Sequence, residues 1–163
     1  MTGGFFTHLL IAALSGALIL AAFTDLRSRT IENWLNAGIA LAAPLFWWAS
    51  GMALWPDAAM QVGVAFATFA VLSMLFAIKA MGGGDVKLLT ALALWIEPLL
   101  FMKLLTMMAL LGGVLTVGFG LWHLSRRRKE KITIPYGVAI SAAGLWVIGN
   151  FYLPANAFAG ATG

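Results

Sequence analysis

The chain is organised around residues 79–89, KAMGGGDVKLL, where three consecutive glycines and an aspartate separate two long apolar segments. Glycine tolerates positive φ and lets another backbone approach closely, so this triplet predicts a tight turn or a docking surface. Asp85 follows directly, in the position of an N-cap for a helix that begins at Val86. A turn with a good cap would explain the stretch by itself. If the flanking segments cross a membrane, however, an acidic side chain beside them is a candidate for function, because a carboxylate is costly in hydrocarbon.

The composition places these segments in a membrane. Hydrophobic residues make up 62% of the 163 residues, charged residues only 10%, and the mean hydropathy is +0.95. A soluble domain, in which about a quarter of residues are charged, could not bury so much apolar surface, so we expect a lipid bilayer as the solvent. The absence of cysteine excludes disulfides and thiol nucleophiles. His8 and His123 lie far apart near opposite ends of apolar segments, so we expect no shared metal site and no cofactor.

The apolar segments predict an all-α, polytopic membrane protein with six transmembrane helices in a single domain, residues 1–163. The predicted spans are 5–24, 34–55, 58–80, 86–98, 104–124 and 135–153. Under the positive-inside rule, nine of the ten Lys and Arg residues then face the cytoplasm, and Lys103 is the exception. Those nine are at positions 27, 29, 79, 87, 126–129 and 131. Both termini are therefore expected on the periplasmic side, and the basic charge reflects this topology with no role for nucleic acid.

The fourth predicted span is unusually short. From Asp85 to the break at Pro98 it has about 13 residues, roughly 20 Å of helix, whereas the hydrocarbon layer is about 30 Å thick. One of its ends must therefore lie below the membrane surface. If it is the inner end, the glycine turn and Asp85 lie in a recess open to the cytoplasm. In the fifth span, four glycines predict close helix contact: Gly112, Gly113, Gly118 and Gly120.

Asp25 and Asp85 each directly adjoin a span on the predicted cytoplasmic side. A simple alternative for Asp25 is an interfacial ion pair with Arg29, four residues on. If the two carboxyl groups meet, they cannot both ionise cheaply, so one of them keeps a proton. The ionised carboxylate can then take a proton from water, while the protonated one donates to a carbonyl oxygen or a leaving amine. This predicts water-mediated peptide hydrolysis, in which neither role can be assigned to one aspartate because the pair titrates as a unit.

Three motifs, in order, resemble those of the prepilin peptidases, which are membrane aspartic proteases of the GxGD type. The sequence GGGD at 82–85 matches the GxGD signature. DLR at 25–27, followed by Ile31 and Asn33, resembles the first aspartate motif of the family, and IPYG at 134–137 resembles a third motif that opens the last span. The resemblance covers nearly the whole chain.

The resemblance implies that Asp25 and Asp85 are the catalytic pair of an aspartic endopeptidase in the bacterial inner membrane. The implied substrate is a prepilin, anchored by its apolar N-terminal helix and cut after a short leader at the cytoplasmic face. Small size and the lack of a cysteine-bearing domain are most similar to the CpaA/TadV-like branch, which serves Flp-type tight-adherence pili. We therefore expect leader removal without N-methylation, with the pilus assembly machinery as a further partner. One departure is Glu32, where the family often has proline.

Several other residues are candidates for substrate contact. Three glycines, Gly82, Gly83 and Gly84, are expected to let an extended substrate backbone approach Asp85. Lys87 either tunes the pKa of the aspartates, as Arg29 could, or anchors its helix to lipid phosphate. Tyr136 either lines the site or is an aromatic residue at the membrane interface.

Two other classes of function also fit a membrane protein with such acids. A proton-coupled transporter would use the carboxyl groups to carry protons, but its site is expected near the middle of the bilayer. A non-enzymatic scaffold of a secretion system would use the aspartates only to cap helices. Replacing each aspartate with asparagine distinguishes these alternatives, because only the protease needs both for precursor cleavage.

Overall fold

The structure is a computed structural model of the chain, and it describes residues 2–126 and 136–153, with side chains for 4–118 and 136–153. Within these ranges the protein consists of helices and turns and has no β-strand, in agreement with the predicted all-α class. The α-helices are α1 (Thr2–Ser28), α2 (Asn33–Ser50), α3 (Ala59–Ala77), α4 (Gly83–Ala93), α5 (Pro98–Arg126) and α6 (Tyr136–Val147). Two π-helical turns, Leu54–Ala58 and Ile148–Tyr152, precede α3 and follow α6.

The short helix α4 lies at the centre of the bundle. It packs against α2, α3 and α6, while α1 packs on α2 and α6, and α5 packs on α6. Leu88, Leu89 and Leu92 are completely buried, so α4 presents apolar side chains to several neighbours at once. Its 11 residues give about 16 Å of helix, roughly half the thickness of a hydrocarbon layer. The predicted short fourth helix is therefore present.

Two tryptophans hold the end of α4 against α2. The Trp95 indole donates a hydrogen bond to the carbonyl oxygen of Ile39 at 2.8 Å, and the Trp47 indole donates to the carbonyl of Leu94 at 2.8 Å. Each indole thus satisfies a backbone acceptor inside an apolar bundle, where an unpaired carbonyl would be costly. The Trp95 ring also stacks on Phe46 with 5.0 Å between centroids. These contacts fix where α4 stops.

Three segments are long and apolar enough to cross a membrane: Gly4–Ser28, Leu54–Ala77 and Pro98–Gly118. A shorter apolar segment covers Tyr136–Tyr152. Large apolar side chains on α3 and α5 point away from the protein, including Phe66 and Val114. The chain is therefore a membrane protein, while the count of six spans and the sides of the termini stay predictions.

Some predicted boundaries are wrong at the level of single turns. Helix α1 continues to Ser28, so Asp25 lies inside its last turns and not in the following loop. Helix α4 begins at Gly83 with Gly82 as its N-cap, which makes Asp85 the third helical residue and not the cap. Helix α5 begins at Pro98 and not near the predicted residue 104, so Lys103 lies within this helix.

The predicted glycine contacts in α5 hold at one position only. A Cβ atom at Gly112 would lie 3.2 Å from the Tyr136 ring, whereas one at Gly113 or Gly118 would meet nothing within 4 Å. Among the described residues, the predicted close contact is therefore absent at Gly113 and Gly118. Parts of the prediction depend on segments outside the described residues. These are the side chains of 119–126, the basic stretch 127–131, Pro135 and the tail 154–163.

Candidate active site

Asp25 and Asp85 line the same cavity, which has a volume of about 760 Å³. The cavity lies where α1 and α3 end and where α4 and α6 begin. Both aspartates are buried, with 6% and 9% of their surface exposed. Fold and sequence thus bring together two acids that are 60 positions apart in the chain. The remaining lining residues are Arg29, Phe76, Ala77, Lys79, Ala80, Met81, Gly82 and Tyr136.

The carboxylate of Asp25 rests on the first turn of α6. The backbone N–H of Val138 donates a hydrogen bond to its Oδ2 at 3.2 Å, and the N-terminus of a helix favours a negative charge at this place. A Cβ atom at Gly137 would lie 2.8 Å from Oδ2 and 2.9 Å from Cγ, so only glycine leaves room for the carboxylate. Arg29 lines the same cavity and interacts electrostatically with Asp25, so the alternative of a pair between these two residues stays open.

The carboxyl group of Asp85 turns back towards the start of its own helix. It accepts a hydrogen bond from the backbone N–H of Gly82, as an acidic side chain at the third helical position does in a capping box. Asp85 lies outside the candidate membrane segments. Burial raises the pKa of Asp85 to about 7, and the negative charge of Asp25 contributes to the rise. Near neutral pH the cavity therefore holds a carboxyl group that is poised to keep or release a proton.

The three glycines of the GGGD stretch each leave room for a different neighbour. A Cβ atom at Gly82 would lie 2.9 Å from the Asp85 carboxylate, one at Gly83 would lie 3.2 Å from the Phe76 ring, and one at Gly84 would lie 3.2 Å from Cβ of Ile31. A larger residue at any of the three positions would therefore crowd a neighbour within the protein. Contact of the glycines with a substrate backbone stays a prediction.

Polar contacts from the start of α2 hold the start of α4. The buried Asn36 donates from its side-chain amide to the carbonyl of Gly84 at 3.4 Å, and the Lys87 ammonium donates to Oδ1 of Asn33 at 2.7 Å. Lys87 is not among the residues that line the cavity, so its visible role is to join α4 to α2. Sequence reasoning missed Asn36. The available signal was an amide one helical turn after Asn33 in an otherwise apolar helix.

Two basic residues lie at the ends of the helices that border the cavity. Arg29, just after α1, and Lys79, just after α3, adopt φ values of 55° and 60°, a left-handed conformation that is uncommon for residues other than glycine. Both line the cavity, as does Tyr136. Glu32 is exposed, and its carboxylate accepts a hydrogen bond from the Trp34 indole. Within the described part of the chain, no group of three or more His, Asp or Glu residues could hold a metal ion.

The fold and the cavity together define a class: a helical membrane protein in which two acidic side chains share one cavity. A family model described as the type IV leader peptidase family matches residues 12–121, more than half of the chain, and the protein therefore belongs to that family. The matched segment contains both Asp25 and Asp85. No curated protein and no solved structure matches the chain. Membership confirms the predicted resemblance at the level of the family and supports a protease that acts on type IV leader sequences.

Proposed function

We propose that the protein is an aspartic endopeptidase of the bacterial inner membrane that removes the leader from Flp-type prepilins at the cytoplasmic face, without methylating the new N-terminus. The observation that carries the proposal is the cavity lined by both Asp25 and Asp85. Membership of the type IV leader peptidase family supports leader removal. The lack of cysteine in the chain supports a hydrolase that works with carboxyl groups.

The two carboxyl groups have different surroundings. Asp25 accepts a hydrogen bond from an N–H at the start of α6. Burial raises the pKa of Asp85 to about 7. One carboxylate of the pair takes a proton from the attacking water while the protonated carboxyl group donates its proton to the carbonyl oxygen. When the C–N bond breaks, the proton taken from water passes to the leaving amine, and the second carboxylate regains a proton from a hydroxyl group of the tetrahedral intermediate.

The shape of the cavity supports a substrate that is itself held in the membrane. Phe76, Ala77 and Met81, from the end of α3 and the following turn, form its apolar wall. The outer surface of α3 is apolar and exposed, with Phe66 and Met74 at 72% and 70% exposure. A substrate with an apolar anchoring helix could therefore reach the carboxyl groups from the lipid side, with its scissile bond at the end of that helix.

The test is co-expression of each single variant, Asp25→Asn and Asp85→Asn, with candidate prepilins. We expect cleavage to fall by a factor of about 10³ in both, because each removes one partner of acid–base catalysis. Leader removal is read from a gel shift, and the new N-terminus is identified by mass spectrometry. Glu32→Gln is the matched control, since it makes the same change of carboxyl to amide on an exposed side chain, and it should retain activity.

Two different results would exclude the catalytic pair and the absence of N-methylation separately. Normal cleavage by either folded aspartate variant would exclude the catalytic pair. A methylated N-terminus on the product, formed by the purified enzyme with a methyl donor present, would instead exclude only the absence of N-methylation.

A further inference from the structure

A second cavity, of about 650 Å³, lies at the other end of the bundle. It is formed by the start of α1, the end of α2, the start of α3, the turn between α4 and α5, and the turn that follows α6. His8 lines this cavity and Asp25 lines the first one. Asp25 lies 17 positions after His8 on α1, which corresponds to about 26 Å of helix. The two cavities are therefore separate sites.

The inner wall of this second cavity contains a polar side chain without a partner. Gln61 is 2% exposed, and neither its Nε2 nor its Oε1 has a hydrogen-bond partner among the described residues. A buried amide is costly when both its donor and its acceptor are unpaired. The other inner polar groups are already engaged. The Ser50 hydroxyl donates to the carbonyl of Phe46, and the Tyr152 hydroxyl accepts from the N–H of Glu97. The side-chain amide of Gln61 is therefore the inner polar group that is available to bind a ligand.

The mouth of the cavity is acidic. Asp57 and Glu97 line it with exposed side chains, and neither carboxylate makes an ion pair or hydrogen bond within the part of the chain that the structure describes. Among the residues that the structure describes, no Lys or Arg lines the cavity, and His8 is its one basic residue. Lys103 lies nearby, but its ammonium group stands 4.4 Å from the centroid of the Phe151 ring and does not line the cavity. The charge balance favours a cation.

The surface around the mouth is apolar and faces away from the protein. Leu99, a lining residue, is 80% exposed, and Leu54, beside Asp57 in the same turn, is 81% exposed. In a membrane protein such side chains contact lipid. A ligand can therefore have its polar group between the carboxylates and its apolar chain along the outside of the bundle.

We propose that this cavity binds a primary ammonium group carried on an apolar chain, such as the headgroup of an ethanolamine phospholipid or a free alkylamine. The ammonium group has three N–H donors, which suit the two carboxylates and the Oε1 atom of Gln61. A quaternary ammonium group has the same charge but no N–H donor, so it cannot make these hydrogen bonds. The site is distinct from the catalytic pair, and its occupancy does not depend on the proposed peptidase activity.

The test uses the purified full-length protein in detergent and measures its thermal unfolding midpoint. We expect ethanolamine phospholipid to raise the midpoint with a saturable dose dependence, and choline phospholipid with identical acyl chains to do so at least about tenfold more weakly, because hydrogen bonds to charged groups are lost. Octylamine and ethanolamine are tested separately. A shift with octylamine assigns the site to free amines as well, and a shift with phospholipid alone assigns it to the headgroup.

The double variant Asp57→Asn/Glu97→Gln should weaken the response to ethanolamine phospholipid at least about tenfold. The single variant Glu97→Gln repeats the test in case the double variant does not fold. Glu32→Gln, at the other end of the bundle, is the matched control and should respond as the wild type does. Equal responses to the two phospholipids, or an undiminished response in folded Glu97→Gln and double variants, would overturn the proposal.

Discussion

The two cavities of this protein use acidic residues in opposite ways. In the first cavity, Asp25 and Asp85 are buried and rest against backbone N–H groups at the starts of two helices. In the second, Asp57 and Glu97 are exposed at the mouth, and the buried group is the neutral amide of Gln61. Burial and a neighbouring charge change the protonation of a carboxyl group, whereas an exposed carboxylate is directly accessible to a ligand. The first arrangement suits proton transfer, and the second suits binding of a cation.

The largest effect after the loss of an aspartate is expected from Gly137→Ala. The added methyl group would lie 2.8 Å from Oδ2 of Asp25 and 2.9 Å from Cδ1 of Ile31, so the carboxylate must move. We expect cleavage to fall at least about 100-fold, since a displacement of about 1 Å can cost that much in rate. Gly113→Ala is the matched control, because a Cβ atom there meets nothing within 4 Å, and activity should be unchanged. Equal activity of both variants would show that the Asp25–Gly137 contact is unimportant.

The pH dependence of cleavage should reveal the raised pKa of the buried Asp85. The pKa of Asp85 is raised to about 7, so this group is protonated below that pH and loses its proton above it. As a proton donor it should therefore become inactive on the alkaline side, and the rate should fall about tenfold per pH unit above roughly pH 7. The measurement is the initial rate on a purified prepilin. A rate that stays constant up to about pH 9 would contradict this role of Asp85.

The unpaired side-chain amide of Gln61 should lower the free energy of unfolding of the ligand-free protein. Gln61→Met removes the unpaired polar atoms at nearly constant side-chain length. In ligand-free detergent solution we expect it to raise the free energy of unfolding by about 1–2 kcal/mol, because a buried amide without partners is unfavourable. Thermal unfolding of the two proteins side by side is the measurement. A lower midpoint for the folded variant would mean that Gln61 is already paired in the isolated protein.

The smallest effect is expected at the contact between α2 and α4. Lys87→Met removes the hydrogen bond to Asn33, but the side chain is exposed and such surface contacts contribute less than about 1 kcal/mol. We expect cleavage to fall only about threefold, through a slight shift of α4. Lys87→Arg, which keeps a donor, should recover most of that loss. A loss as large as that of Asp85→Asn would give Lys87 a direct catalytic role instead.

The sequence was sufficient to predict the features that depend on composition and on local motifs. High hydropathy and the positions of charged residues predicted a helical membrane protein, and the stretch between Asp85 and Pro98 predicted a short central helix. The motif around Gly82 and Asp85 predicted the family. Each of these properties is local along the chain, so no knowledge of helix packing is needed to detect it.

What could not be predicted depends on how the helices cross. The fit of Asp25 against Gly137 joins residues from α1 and α6, and the contact of Asn36 with Gly84 joins α2 and α4. Hydropathy also gives no sign that Gln61 faces inward. The exact start of α4 was missed because a glycine triplet is a poor helix former, yet Gly83 and Gly84 are the first two residues of this helix, close to Phe76 and Ile31.

The shortness of α4 has a consequence for membrane voltage. The first cavity reaches Asp85 at the beginning of this helix, and the second reaches Glu97, just beyond its end. If the two cavities open to opposite sides of the membrane and water fills both, the insulating layer between them is about 16 Å thick, and the electric field there is about twice that in the surrounding bilayer. Moving one elementary charge across a full potential of roughly 100 mV involves about 2.3 kcal/mol. The energy of a proton that moves part of the way between the two cavities would therefore depend on the membrane potential.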